Sequence, residues 1–183
     1  MSFTPERAAI RFGCGLSPRQ AAPASVDDML AALTGPDLAA QTFPIAGMDP
    51  VYAMMLAERD ARRAVRKAKT EEDREAASKA LTQVRRDLRL DAAGWFGQIL
   101  LRRAQTPDGF RERLSAFWTD HFTAQGKVQG LIFAQANYAE EAIRPHLTAR
   151  FSDMLRAAVT HPLMLHYLDQ ITSIGPNSRA GKR

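Results

Sequence analysis

Residues 58–89 read ERDARRAVRKAKTEEDREAASKALTQVRRDLR, and this stretch decides the fold class. It is rich in alanine and in interleaved charges of both signs. Such a pattern is typical of a solvated helix or helical hairpin supported by i,i+4 ion pairs. Thr70, followed by Glu71, Glu72 and Asp73, resembles a new helix N-terminus. The stretch therefore predicts either a hairpin with a break near Thr70 or one long helix.

Helix signals continue on both sides of this stretch. A residue able to cap a helix precedes proline at Thr4, Ser17, Asp49 and Thr106. Each pair predicts a helix start, because the capping side chain accepts a free N–H and the proline has a helix-ready φ where its missing N–H is not needed. Residues 34–50, TGPDLAAQTFPIAGMDP, are rich in proline and glycine and are predicted to form a surface connection.

The fold class is predicted to be all-α, an irregular multi-helix bundle with a long charged helix or helical hairpin and no sheet. No alternating apolar–polar pattern and no strand-length block of branched residues occurs. One domain is expected over residues 1–183, with short helices and a loop in 1–48, a long charged helical region in 49–105 and a motif-bearing helical core in 106–183. Helices are predicted over Pro5 to about Phe12, over residues 26–33 with an end at Gly35, over 51 to about 105, from Pro107, over about Leu131 to Arg144, around 151–159 and from Pro162.

Composition excludes several classes of protein. The chain has 183 residues, 45% hydrophobic and 25% charged, as ordinary globular domains do. No apolar run reaches the length of a membrane span, and the start MSFTPERAAIRFG lacks the apolar stretch of an export signal, so a cytoplasmic location is predicted. The single cysteine, Cys14, excludes an internal disulfide. The net charge of +5 favours nucleic acid only weakly, because acids interleave with the arginines of 58–89 and aromatics do not.

The stretch FWTDHF, Phe117 to Phe122, places a histidine among aromatic residues. Phe110, Leu114, Phe117 and His121 follow 4, 3, 4 spacing and predict one buried helical stripe. On that stripe His121 is predicted to be a neutral core histidine bonded to a buried polar group. The alternative is a metal ligand or a catalytic base.

Two apolar helices are predicted near the end of the chain. The first has an amphipathic face, and the second, PLMLHYLD from Pro162, is apolar almost all round and is expected to be buried on most sides. The apolar residues of the first helix are Phe151, Met154, Leu155, Ala158 and Val159.

Three polar residues accompany the second of these helices. His166 and Asp169 stand three apart and are expected to share a face, where the carboxylate would orient the imidazole for acid–base chemistry; the alternative is a surface salt bridge. His161 precedes Pro162 and is predicted to cap the helix with a neutral ring nitrogen, with metal ligation as the alternative. Strong zinc spacings, phosphate loops and nucleophile elbows are absent.

Several of these motifs occur together in one known family. RFGCG at 11–15, FWTDHFT at 117–123 and IRPHLTARFSDMLRAAVTHPLMLHYLDQITSIGPNS at 143–178 resemble the bacterial family called domain of unknown function 1800. Leu163 stands where that family more often has alanine. The resemblance implies no known reaction, and it implies that many members are exported. The candidate residues that fall in its motif blocks are Trp118, His121, His161, Asp169 and Asn177.

The resemblance also implies that more of the domain exists. In the family, the YLD segment leads to an asparagine-, glutamate- and arginine-rich signature resembling NENxARE and to further helices, whereas this sequence stops at PNSRAGKR. The chain is therefore expected to be the N-terminal part of a longer domain, and the C-terminal part of that domain is its expected partner.

Three functional hypotheses follow. In the first, His121, His166 and Asp169 build a polar pocket for hydrolytic or metal-dependent chemistry, with His121 and His161 as candidate ligands of a divalent metal ion. In the second, the chain is a helical interaction or scaffold module whose charged helices, residues 58–91, bind a protein partner. The third, less favoured, is nucleic-acid binding.

Overall fold

The structure is a computed structural model and describes residues 2–181. Within that range the chain forms nine α-helices and no β-strand, which confirms the all-α prediction. No helix in this range is both long and apolar enough to cross a membrane. The helices are α1 Pro5–Phe12, α2 Val26–Thr34, α3 Leu38–Thr42, α4 Asp49–Lys67, α5 Glu71–Gln105, α6 Gly109–His121, α7 Gln135–Tyr138, α8 Phe151–Thr160 and α9 Pro162–Tyr167.

The charged stretch is a hairpin of α4 and α5, and α5 is the long helix of the fold. Thr70 caps α5, because its hydroxyl accepts a hydrogen bond from the Asp73 N–H at 3.1 Å. The two helices are tied together at Glu58 of α4, whose carboxylate accepts hydrogen bonds from Arg62 and from Arg85 of α5. Burial alone would raise the pKa of Glu58, but these two guanidinium groups hold it below its usual range.

Of the four residues that precede proline, Thr4 is confirmed as a cap, and Ser17, Asp49 and Thr106 are corrected. Asp49 is the first residue of α4 and not its cap. Thr4 accepts a hydrogen bond from the Arg7 N–H and caps α1. Ser17 begins no helix; its hydroxyl instead accepts from the Arg19 N–H in a local turn that competes with helix formation. α6 is capped by Asp108 rather than by Thr106. The Thr106 hydroxyl accepts a hydrogen bond from the Asp108 N–H, which precedes the helix.

The prediction of a surface connection over residues 34–50 is wrong. This segment contains the short helix α3, capped by Asp37, and it buries Ile45 and Met48. The prolines of this segment interrupt its secondary structure, but the apolar residues Ile45 and Met48 between them pack into the core. The segment therefore positions backbone groups next to the polar side chains of α7.

The core lies between the start of α4, the segment 131–147 and the last two helices. Instead of one regular helix over 131–144, the chain makes a 3-10 turn, then α7, a π turn and a second 3-10 turn that contains Pro145. Proline cannot donate the helical hydrogen bond at this position, which is consistent with the end of the regular helix. The π turn is Ala139–Ile143, the 3-10 turns are Gln129–Leu131 and Arg144–His146, and a further 3-10 turn is Gln170–Thr172.

Candidate functional site

His121 is the last residue of α6, and its side chain is exposed. The prediction of a buried stripe through Phe117 and His121 is wrong, since Phe117 is 56% exposed. α6 buries two charged residues, Arg111 and Glu112, whereas the predicted stripe has Phe110 and Leu114 half-buried and Phe117 and His121 exposed. The His121 ring contacts the Trp118 ring edge-on, with centroids 5.4 Å apart, as part of an exposed aromatic cluster.

Replacing His121 by alanine is expected to change the free energy of unfolding by no more than about 0.5 kcal/mol, because the ring is exposed and loses only its contacts with neighbouring aromatic rings. Urea titration of the His121→Ala chain measures this, with Asp120→Ala on the same exposed turn as the control. A loss well above 1 kcal/mol, on the order of a buried hydrogen bond, would contradict the exposed placement.

The predicted pairing of His166 with Asp169 is also corrected. α9 ends at Tyr167, and Asp169 has the left-handed φ of 57°, a conformation that aspartate tolerates better than most residues. The Asp169 carboxylate pairs with Lys127 at 2.5 Å, and this pair is solvent-exposed. His166 is half-buried, and its Nδ1 has no hydrogen-bond partner among the described residues.

His161 is the cap of α9, as predicted. Its Nδ1 accepts a hydrogen bond from the Leu163 N–H at 3.1 Å, and its Nε2 lies 3.2 Å from Oε2 of Glu141. Because Nδ1 is an acceptor, the proton of the neutral ring is on Nε2, which donates to Glu141. Burial lowers the pKa of His161, and the Glu141 carboxylate opposes this only in part. Both ring nitrogens are therefore engaged in hydrogen bonds within the protein, and this arrangement favours a role as helix cap over a role as metal ligand.

Glu141 and Asn137 fasten the segment before α4. The Asn137 amide donates to the carbonyls of Ala46 and Gly47, and Glu141 Oε1 accepts the N–H of Met48 at 2.5 Å. A Cβ at position 47 would lie 2.2 Å from Oε1 of Glu141, so a larger residue there would require the Glu141 side chain to shift. One carboxylate thus joins the start of α4 to the start of α9 through His161.

Arg144 is the centre of a buried ion-pair cluster. Its guanidinium donates to both oxygens of Asp37, at 2.6 and 2.8 Å, and to Glu112 at 2.6 Å. Burial of Asp37 would raise its pKa, but the Arg144 bonds and the Ala40 N–H hold the pKa below its usual range. The same two carboxylates raise the pKa of Arg144 in spite of its own burial. The cluster joins α3, α6 and the end of the π turn.

Two further buried arginines have backbone and carboxylate partners. Arg111 donates to Asp108 and to the last carbonyls of α2, and so satisfies the C-terminal end of that helix. Arg102 of α5 makes a two-point pair with Glu140, at 2.6 and 3.1 Å, and also donates to the Phe43 carbonyl. These interactions hold the N-terminal helices on the C-terminal core.

A family model described as Protein of unknown function (DUF1800) matches residues 7–178. This chain belongs to that family. No curated protein and no solved structure matches it significantly. The resemblance read from the sequence motifs is therefore confirmed.

Most of the buried polar residues of this DUF1800 chain were not predicted from the sequence. The predicted residues are separated: Trp118 lies at the edge of the core, and Asn177 is exposed in a turn after the last helix. Within residues 2–181, no three His, Cys, Asp or Glu side chains are grouped so that they could hold a metal ion. The polar residues that do meet form separate groups, namely Asp37, Glu112 and Arg144 with Arg111, Arg102 with Glu140, Glu141 with His161, and Asn137 with the segment before α4.

One sequence signal could have found part of this set. In ANYAEEAIRP, residues 136–145, charged side chains interrupt a segment of small and apolar residues. Charged residues at such positions are rarely buried unless paired, so Glu140 and Arg144 could have been expected to have distant partners. The buried polar groups of this DUF1800 chain therefore form internal ion pairs and cap helix ends.

Proposed function

We propose that this chain is a helical protein-interaction module whose partner docks on an apolar face formed by α6 and α8. The occupant is a helix with an apolar stripe, of the kind that the further helices expected from the family resemblance would supply. The single observation that supports this proposal most is the exposure of a row of large apolar side chains on α8. The α6–α8 face consists of Phe117, Trp118, Phe151, Leu155 and Val159.

α8 has more apolar surface than the core of this chain covers. At about 100° per residue, its apolar side chains, from Ala157 on one side to Val159 on the other, extend over about 200° of the circumference, more than the stripe of an ordinary surface helix. Met154 and Ala158 lie on the Ala157 side of this arc and are buried, at 3% and 0% exposure. The other edge is a row spaced i, i+4, i+8 at 38–53% exposure, namely Phe151, Leu155 and Val159. A helix apolar over so wide an arc is suited to packing on two sides.

Aromatic rings extend this row onto α6. The ring of Phe151 lies 5.6 Å from that of Trp118, which in turn contacts Phe117 at 5.0 Å between centroids. The patch is therefore continuous across two helices. An amphipathic helix docks its apolar face on an apolar surface, and aromatic side chains commonly dominate the energy of such contacts.

The charged hairpin is the less favoured docking surface. Arg62 and Arg85 of this hairpin both donate to Glu58, whose side chain is only 7% exposed. Reversing either charge would leave Glu58 with less compensation, so the fold would respond as well as any partner. Arg66, by contrast, is exposed.

The α6–α8 face can be tested with a defined helical probe. Trp95→Phe leaves Trp118 as the only tryptophan of the chain, and its fluorescence reports events beside Phe151. The probe is a leucine–lysine peptide of about 18 residues, long enough to be helical when bound, with leucines at i, i+3 and i+4. We expect a saturable blue shift of Trp118, and at least tenfold weaker binding by the Leu155→Lys variant. Because the chain and the peptide are both positively charged, overall charge cannot cause the binding.

Two controls make the result specific. Thr160→Lys adds the same charge on the polar side of α8 and is expected to leave the affinity unchanged. A scrambled peptide of the same composition is expected not to bind. Equal binding by both peptides, or by Leu155→Lys and the unmodified chain, would contradict a helix-docking face.

Hydrolytic or metal-dependent chemistry stays a prediction of the sequence. The one local feature that favours it is the half-buried His166 with an unpartnered Nδ1 among the described residues. Metal analysis of the purified chain before and after His166→Ala, with zinc supplied, tests this second function. Metal content that is substoichiometric, or unchanged by the substitution, would argue against it.

A further inference from the structure

A second apolar surface lies on the outward side of the second half of α5. Residues 92–101, AAGWFGQILL, have no charged side chain, so this part of the helix is apolar almost all round. A helix of that composition is normally covered on most of its sides. The chain covers the side of Trp95, which packs against the core, whereas Leu90, Leu100 and Leu101 point elsewhere and are 38–59% exposed.

Two glycines lie between these leucines. Gly94 and Gly97 are in the interior of a 35-residue helix, where glycine is less favourable than alanine. A Cβ added at either position would meet no atom of residues 2–181 within 4 Å, so packing inside the chain does not require glycine there. The two positions instead leave a flat strip that the backbone of another helix can approach closely. We call this surface the α5 face, and its residues are Leu90, Gly94, Gly97 and Leu101.

The α5 face has a symmetric pattern. Its four residues follow 4, 3, 4 spacing, which keeps them on one side of the helix, and the order Leu, Gly, Gly, Leu is the same in both directions. An antiparallel copy of α5 would therefore place Leu90 opposite Leu101 and Gly94 opposite Gly97. Each contact would occur twice about a two-fold axis, as an isologous interface requires.

The residues at the ends of the α5 face favour the antiparallel direction. Asp87 and Ala104 continue the same spacing by one step on either side. In an antiparallel pair, Asp87 lies opposite Ala104 of the second copy. A parallel pair in register would place two Asp87 carboxylates together, and such a like-charge contact is unfavourable. The face is therefore complementary to itself in one direction only.

We propose that the α5 face joins two copies of this chain through antiparallel α5 helices that cross at Gly94 and Gly97. Burial of Leu90 against Leu101 in both halves of the contact provides the driving force. One pair of helices makes a small interface, so we expect a dissociation constant in the micromolar range. The α5 face shares no residue with the α6–α8 face, so either proposal can fail without the other.

Sedimentation equilibrium of the whole chain at about 1–500 µM measures this association. Salt at about 0.15 M screens the net charge of +5 on each copy. We expect a reversible monomer–dimer equilibrium that Leu90→Glu weakens at least tenfold, because the change places two carboxylates in the contact. Leu155→Glu, on the α6–α8 face, is the control and is expected to leave the dissociation constant unchanged.

Two outcomes of this measurement would overturn the proposal. The first is an unmodified chain that stays monomeric over the whole concentration range. The second is a dimer that is weakened by Leu155→Glu and not by Leu90→Glu, which would assign the contact to the α6–α8 face. Circular dichroism verifies that each variant folds.

Gly94→Gln tests the close approach of the two helices. The new side chain has open space in a single copy and favours the helix, so the urea midpoint of unfolding is expected to stay or to rise. The dimer is expected to be at least tenfold weaker, because the two backbones can no longer meet. Ala76→Gln, about five turns earlier on the same side of α5, is expected to leave the dimer unchanged. Unchanged association in Gly94→Gln would refute a crossing at the glycines.

Disulfide cross-linking tests the orientation. Two chains that carry Cys14→Ser are mixed and oxidised, one with Leu90→Cys and the other with Leu101→Cys. Antiparallel pairing is expected to give mainly the mixed disulfide, identified by mass spectrometry, because position 90 lies opposite position 101 of the second copy. A preference for the two homodisulfides would contradict the antiparallel arrangement.

Discussion

Replacing Arg144 by alanine is expected to destabilise the chain by about 3–5 kcal/mol, the largest effect we expect of any single side chain here. The guanidinium is buried and holds Asp37 and Glu112. Without it, two carboxylates that belong to different helices remain close together with one cation fewer. Removing one partner of a buried pair leaves an uncompensated charge, and this penalty exceeds the net stabilisation that the intact pair provides. Urea or thermal unfolding followed by circular dichroism measures the loss.

A comparison with an exposed arginine distinguishes the effect of burial from the effect of removing a positive charge. Arg150 is exposed and makes no cap hydrogen bond with its side chain, so Arg150→Ala is expected to shift the unfolding free energy by no more than about 0.5 kcal/mol. Combining Arg144→Met with Asp37→Asn and Glu112→Gln removes the uncompensated charges and is expected to recover about half of the loss. If Arg144→Ala and Arg150→Ala cost the same, the cluster has no structural role.

The same cluster has a pH signature. The pKa of Asp37 is lowered in the folded chain, so the unfolded chain binds a proton more readily. The stability that this provides is fully present above the ordinary aspartate pKa of 3.8 and is lost as the pH falls through the lowered value. In Arg144→Ala the main group that lowers the pKa of Asp37 is absent. The loss of stability caused by protonation of Asp37 at acid pH should therefore be smaller in this variant.

Local patterns predicted the elements well where the cause is local. The Thr70 cap and the acidic turn after it mark the start of α5, and the His161–Pro162 pair marks the start of α9, because each signal concerns backbone N–H groups within three residues. The boundaries of α8 follow its apolar spacing for the same reason. The fold class required nothing more than such signals.

Orientation and partners were not predictable in this way. The spacing from Phe110 to His121 correctly indicated a helix. The side of that helix that faces inward, however, depends on the hydrogen bond between Glu112 and Arg144, which is 32 residues away. Arg144 and Asp37 are separated by 107 residues. Helical periodicity reports neighbours within two turns and has no information about ion pairs over such distances. The π turn adds to the difficulty, since it rotates the residues that follow it relative to a regular helix.

Replacing His161 by alanine is the second large effect, with an expected loss of about 2–3 kcal/mol at neutral pH. The change removes the acceptor for the buried Leu163 N–H, which is the N-terminal cap of α9. It also removes the Nε2 donor to Glu141 and leaves a cavity beside the Tyr138 ring, which lies 4.8 Å from the imidazole. His161→Asn keeps an acceptor for the cap and is expected to recover about 1 kcal/mol.

The pH dependence of unfolding distinguishes this role from simple packing. Burial lowers the pKa of His161 below 6.5, so the unfolded chain takes up the proton first, and the stabilising effect of the neutral ring is present above pH 6.5 and lost as the pH falls through the lowered value. Protonation would also turn Nδ1 from an acceptor into a donor that faces the Leu163 N–H, while Glu141 on the other side of the ring can only partly compensate. His161→Asn should therefore flatten the slope of stability below pH 6.5. A slope that persists in His161→Asn would assign the titration to another group and remove the support for a neutral cap at α9.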